Sequence, residues 1–157
     1  MLVLYGATIF LGAALLFVIQ PMFARMVLPL LGGAPAVWNT ATVFYQGVLL
    51  LGYGYAHVAT RWLGARRQAA LHLAPLGLPV LVLPIAIRTG SSPPAAANPI
   101  PWLLTVLTVS VGLPFLVVSA TSPVLQAWLA QSGHPSARDP YFLYRASNLG
   151  SVLALLA

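Results

Sequence analysis

The sequence has no cysteine, no lysine, no glutamate and a single aspartate, Asp139, among its 157 residues. Each absence excludes some chemistry. Without thiols there is no disulfide, no cysteine-containing zinc site and no iron–sulfur cluster, and thiol usage gives no sign of a redox compartment. A mechanism that needs two carboxylates, a Lys Schiff base or a thiolate has no residues to use. The chain by itself is therefore expected to be no enzyme and to call for no cofactor and no metal. Charged residues make up 5% of the chain, against roughly 25% in an ordinary soluble domain. Seven Arg and one Asp are too few to keep a water-facing surface of this size dispersed.

What is present is apolar: 60% of residues are hydrophobic, with 14 Pro and 13 Gly. The net charge of +6 comes from Arg scattered between apolar runs. That is no basic stripe with interleaved aromatics, so no nucleic-acid partner is expected. The expected fold class is all-α, a polytopic integral membrane helical bundle with proline kinks and short interfacial segments. It forms one domain over residues 1–157 with about five transmembrane helices, and the lipid bilayer is its partner.

The expected spans are 2–19, 36–58, 69–87, 102–120 and 141–157. The first is an uncharged run of 18 residues, about 27 Å as a helix against a hydrocarbon core of about 30 Å. Gln20-Pro21 is expected to end or kink it, because Pro cannot donate the backbone bond. Met22 to Leu31, with Arg25 and Pro29, then reads as an interfacial or re-entrant segment or a kinked extension. Trp38, Tyr53, Tyr55 and His57 stand near the ends of the second span, at depths that amphipathic rings prefer. Pro75, Pro79 and Pro84 bend the third span. Thr89 to Pro101 has four Pro and one Gly in 13 residues and reads as an exposed loop. Pro114 kinks the fourth span, and Thr121-Ser122-Pro123 opens a separate amphipathic stretch to Ala130. The fifth span is still apolar at Ala157, so the expectation is a chain truncated there.

Arginine sets the orientation. With the Arg61, Arg66 and Arg67 connection in the cytoplasm, Arg138 and Arg145 join it and only Arg25 and Arg88 lie opposite. This predicts a multi-pass protein of the bacterial cytoplasmic (inner) membrane with its N-terminus in the cytoplasm. A reporter fused after Ala95 is expected on the far side, and a cytoplasmic signal there reverses the topology.

Eight residues are candidates for binding. Gln20, Gln46 and Asn148, together with Asn39, are amides within or beside spans, where an unpaired polar group costs several kcal/mol. Interhelical hydrogen bonding is their ordinary role and substrate contact the alternative. His57 and His72 flank one hairpin, where they would meet either as interface histidines or as a bis-imidazole haem site. Arg25 and Arg145 are costly charges expected to snorkel, and Arg145 has Asp139 as a possible ion-pair partner. Asp139 before Pro140 suits capping of the last helix over proton relay. His134, Ser136 and Asp139 match a hydrolytic trio by type alone. Gly52/Ala56, Ala146/Gly150 and Ser147/Ser151 are small residues four apart, a spacing that lets another helix approach closely.

Two stretches carry more than composition: QPMFARMVLPLLGGAPAVWNTATVFYQGVLLLGYGYAH, Gln20 to His57, and TSPVLQAWLAQSGHPSARDPYFLYRASNLGS, Thr121 to Ser151. They resemble the membrane-embedded N-terminal part of bacterial fused transporter-like (MFS)/spermidine synthase proteins. The first does so through Gln20-Pro21, Leu28-Pro29, Gly32-Gly33, Ala36-Val37-Trp38, Gln46, Leu51-Gly52-Tyr53 and Tyr55-Ala56-His57. The second does so through Ser122-Pro123, Leu125-Gln126, Trp128, Asp139-Pro140-Tyr141, Leu143-Tyr144 and Ser147 to Ser151, with Arg145 where the pattern has a small residue. The resemblance implies a multi-helix membrane region followed, in full-length members, by a cytoplasmic aminopropyltransferase-like domain of Rossmann-like type. The catalytic residues of that domain have no positions here.

The functional expectation is a membrane domain that anchors or scaffolds such a cytoplasmic domain and forms a small-solute path. It would associate with further transmembrane segments or as a homo-oligomer. The lack of intramembrane acids speaks against a polyamine path. The alternatives are a stand-alone small transporter or channel subunit acting as an oligomer, and a haem-binding redox subunit.

Overall fold

The computed structural model describes residues 1–31, 33–77, 86–87 and 98–156, and within them all regular structure is helical. Helix α1 runs over Leu2–Leu31 and passes through both Pro21 and Pro29. Gln20-Pro21 therefore does not end the first helix, and Met22 to Leu31 is not a separate interfacial segment. Packing explains the difference. Ile19, Phe23 and Val27 bracket Pro21 and enter one core with Val37, Tyr45, Leu103 and Phe115, which holds the two sides in line despite the missing backbone bond.

Helix α2, Pro35–Leu76, begins with Pro in its first turn and is broken at Gly64, whose φ of 66° and ψ of 163° are not helical. Positive φ is the conformation that only glycine adopts without strain. The break is a reversal. In one straight helix Tyr55 and His72 would lie about 25 Å apart, yet their rings stack at 5.9 Å. The limbs 35–63 and 65–76 thus form an antiparallel hairpin. The Arg61–Arg67 connection is a helical turn around one glycine, with Arg61, Arg66 and Arg67 exposed at its tip. Of the expected third span only 69–76 falls on described helix, and Pro79, Pro84 and most of the 89–101 loop lie outside the described residues.

Helix α3 (Ile100–Leu107), a π-helical turn (Thr108–Gly112) and α4 (Leu113–Gln131) form one continuous helix. It starts two residues before the expected span, where Asn98 Oδ1 accepts from the Ile100 amide at 3.0 Å. The π turn widens the backbone just before Pro114, which removes the clash a proline ring makes with the preceding turn. Thr121 to Ala130 therefore continues the fourth helix and is not a separate stretch. After a 3-10 turn at Pro135–Arg138, α5 covers Tyr141–Leu156.

The continuous α3–α4 helix is the centre of the bundle, and α1 and the α2 hairpin pack against it. Helix α5 lies on α1, with Leu143 joining Ile9 and Leu129 in a second small core. Two glycines set the closest approaches. Gly52 faces Ser119 and Ala120 of α4, and Gly150 faces the Phe10 carbonyl and Ala14 of α1. Among the described residues, two helices, Leu2–Leu31 and Ile100–Gln131, are long and apolar enough to cross a membrane. The window that qualifies α1 is only 11% buried, so most of its apolar surface faces out of the bundle.

Candidate functional site

Polar side chains fall into two groups. The first is closed and lies between the α2 hairpin and α4. Gln68, fully buried, donates through Nε2 to Thr60 Oγ1 at 2.8 Å and to the Ala56 carbonyl at 3.4 Å. Its Oε1 accepts from Trp128 Nε1 at 2.9 Å. His72, 3% exposed, meets Thr121 Oγ1 through Nε2 at 3.2 Å. The Thr121 hydroxyl spends its hydrogen on the Val117 carbonyl at 2.8 Å, so the imidazole is the donor and Nε2 carries the proton. Tyr55 stacks on the ring and Trp128 meets its edge. Each bond here ties one hairpin limb to the other or to α4. The cluster is a brace, and beside it lies a mainly apolar cavity of about 200 Å³ lined by Leu71, Leu113 and Tyr55, the buried Tyr55 hydroxyl having no hydrogen-bond partner.

The second group is open. A groove of about 270 Å³ runs between α1, the first limb of α2 and the end of α5, lined by Phe17, Gln20, Trp38, Thr42, Tyr45 and Leu155. Pro21, also on its wall, has no N–H to give to the Phe17 carbonyl and so releases that acceptor. Tyr45 is 3% exposed, yet its hydroxyl has no partner, a state that costs about 1–3 kcal/mol when nothing else meets the group.

The groove continues along α2. Asn39, Thr42, Gln46, Leu50, Tyr53, His57 and Arg61 are all exposed and recur at steps of three and four, which places them on one helix face. Leu50 is the only aliphatic member. The stripe rises about 33 Å, close to the thickness of a hydrocarbon core. On α5, Asn148 stands two turns before Leu155 on the same face, and it is exposed together with Tyr144 and Arg145.

The amides singled out from the sequence thus gather on one side of the bundle, and they do not bond one another. Among the described residues the side chains of Gln20, Asn39, Gln46 and Asn148 make no hydrogen bond. Among the described residues, interhelical bonding, their expected ordinary role, is not formed. His57 and His72 do not share a site either. His72 lies inside the brace, whereas His57 opens with Tyr53 and Thr60 on a groove beside Pro123 and Ala127, and no cluster of three or more metal-ligating residues occurs among the described residues.

Asp139 Oδ1 accepts from the Tyr141 amide at 3.2 Å, so the only acid caps α5. It forms no ion pair with Arg145. His134 Nδ1 accepts from the Ser136 amide at 3.1 Å, which makes the His134–Ser136–Asp139 grouping a pair of turn caps. Arg25 is exposed beside Met22 and Leu155 on the flank of α1 that faces away from Gln20.

No family model, curated protein or solved structure matches the chain. Sequence reasoning missed Thr42, Tyr45 and Tyr53 on the open face and Gln68 in the brace. For Thr42 and Tyr53 the seven-residue recurrence through Asn39, Gln46 and Tyr53 was an available signal, whereas Tyr45 lies off that stripe. For Gln68 there was none, since it follows Arg66-Arg67 and reads as part of a polar connection.

Proposed function

We propose that this chain is a polytopic membrane domain of about five spans whose polar face lines a small-solute path, completed by further transmembrane helices or a second copy. In the family that the two motif stretches resemble, such a region would also anchor a cytoplasmic aminopropyltransferase-like domain. One observation carries the proposal: unpartnered amides of three helices gather on a single side of the bundle, whose other outward faces carry large exposed aliphatics. In lipid each of these groups costs several kcal/mol unless water or a partner meets it. The large exposed aliphatics elsewhere, Val3, Leu4, Leu51 and Val58 among them, suit a hydrocarbon solvent and no other.

The absence of native cysteine makes the test direct. Single cysteines in place of Asn39, Gln46, Leu50 and Tyr53 are expected to react with a membrane-impermeant thiol reagent in intact vesicles. Cysteines in place of Leu51 and Val58, on the neighbouring apolar face, are expected to stay unmodified. Equal protection of both sets removes the water-lined path, and a chain that stays dispersed in detergent-free buffer removes the membrane assignment.

A further inference from the structure

The open face has donors and cations but no carboxylate. Its amides offer N–H groups, the exposed Tyr53 offers a hydroxyl, and the stripe on α2 ends at His57 and Arg61, at the end of the bundle where α5 begins with Arg145 close by. Helix directions place these together. Val27 and Val37 share one core, so α2 starts at the far end of α1 and runs back towards its beginning, where Ile9 meets Leu143 of α5. Arg61, Arg66, Arg67, Arg138 and Arg145 therefore gather at one end, against Asp139 alone. Five guanidinium groups and one carboxylate leave a local charge of +4. Asp139 is turned to the Tyr141 amide, and no guanidinium among the described residues has an ion-pair partner in the chain.

On these grounds, and resting on the solute-path reading above, we propose that the polar face is selective for a small anion, inorganic or organic, and rejects cations, polyamines included. A cation entering it would leave water for a surface with no acid to stabilise it. An anion meets guanidinium groups at the mouth, which raise its local concentration in a low-dielectric cleft, and amide and hydroxyl donors beyond.

The experiment uses the full chain in membrane vesicles with a cysteine in place of Gln46 or, separately, of Leu50. The probes are an anionic and a cationic methanethiosulfonate of similar size, each rate being divided by that of the same reagent on a free thiol in solution. The expected result is a preference for the anionic probe of about tenfold at low salt, falling towards unity in high salt and reduced in Arg61→Gln combined with Arg145→Gln. A preference for the cationic probe overturns the inference. So does an anionic preference that the two substitutions leave unchanged, because the guanidinium groups would then face lipid phosphates and not the path. Reaction without charge preference overturns only the selectivity and leaves the path standing, whereas no reaction with either probe at both positions removes the path and the selectivity together.

Discussion

Gly150→Leu is expected to separate α5 from α1 and to cost the folded domain at least about 3 kcal/mol, read as a large fall in the thermal unfolding midpoint of detergent-solubilised protein. Even a single added carbon is unwelcome. A Cβ at Gly150 would collide with the Phe10 carbonyl oxygen and lie 3.1 Å from its carbon and 3.3 Å from the Ala14 nitrogen. All three atoms are backbone, so no rotamer change relieves the contact and the helices must move apart. Gly150→Ala is therefore expected to cost about 1–3 kcal/mol. Gly52→Ala should cost less, because the first atom it meets is the Ser119 hydroxyl oxygen, which can rotate away. Gly54, with nothing within 4 Å, is the control, and its change to Ala should be neutral or slightly stabilising on helix propensity. Equal effects at Gly150 and Gly54 would mean that α1 and α5 do not touch as described.

Those two contacts show where a sequence is readable. Small residues four apart mark helices that can approach closely, and both Gly52 and Gly150 sit at such approaches. The helical class was equally legible, since uninterrupted apolar runs of about 18 residues are too long for strands and suit helices. Boundaries at proline were not. Pro21 and Pro29 carry a local cost that argues for a break, but that cost is a few kcal/mol, and the core around Phe23 and Val27 offsets it through residues distant in sequence. The reversal at Gly64 was hidden for the opposite reason. Its flanks, Arg61 to Arg67, look like an ordinary loop, and only the pairing of Tyr55 with His72 reveals a hairpin closed around one residue.

The candidate site was half legible. Gln20, Gln46 and Asn148 could be picked out because an amide in an apolar run is costly wherever it lies. Whether it faces a neighbouring helix or the outside depends on the rotation of each helix, which packing fixes. The periodic pattern contained that rotation for α2, because the stripe from Asn39 to Arg61 follows from spacing alone. For α1 and α5 it did not, since each carries too few polar residues to define a face. His72 takes the interface role that the sequence offered beside the haem alternative, since its donor bond to Thr121 ties the hairpin to α4.

The brace around Gln68 gives the second large effect, and it can be separated from folding in general by a double-mutant cycle. Gln68→Leu leaves the half-buried Trp128 indole N–H without its acceptor and Thr60 without its donor, for an expected loss of about 1–3 kcal/mol. Trp128→Phe leaves Gln68 Oε1 short of a donor while keeping a smaller aromatic ring beside His72, for a loss of similar size. Because the two residues share one bond, the double variant is expected to lose less than the sum, with a coupling of about 1 kcal/mol or more in equilibrium unfolding. Strict additivity would mean that the 2.9 Å bond contributes nothing. The cycle also bears on function. Thr60, Gln68 and Trp128, which form the brace, do not line the groove at Gln20, Thr42 and Tyr45. A variant that loosens the brace without unfolding the domain should therefore keep thiol labelling at Gln46 while losing stability. Loss of labelling in step with stability would instead show that the hairpin holds α2 in the rotation that presents its polar stripe.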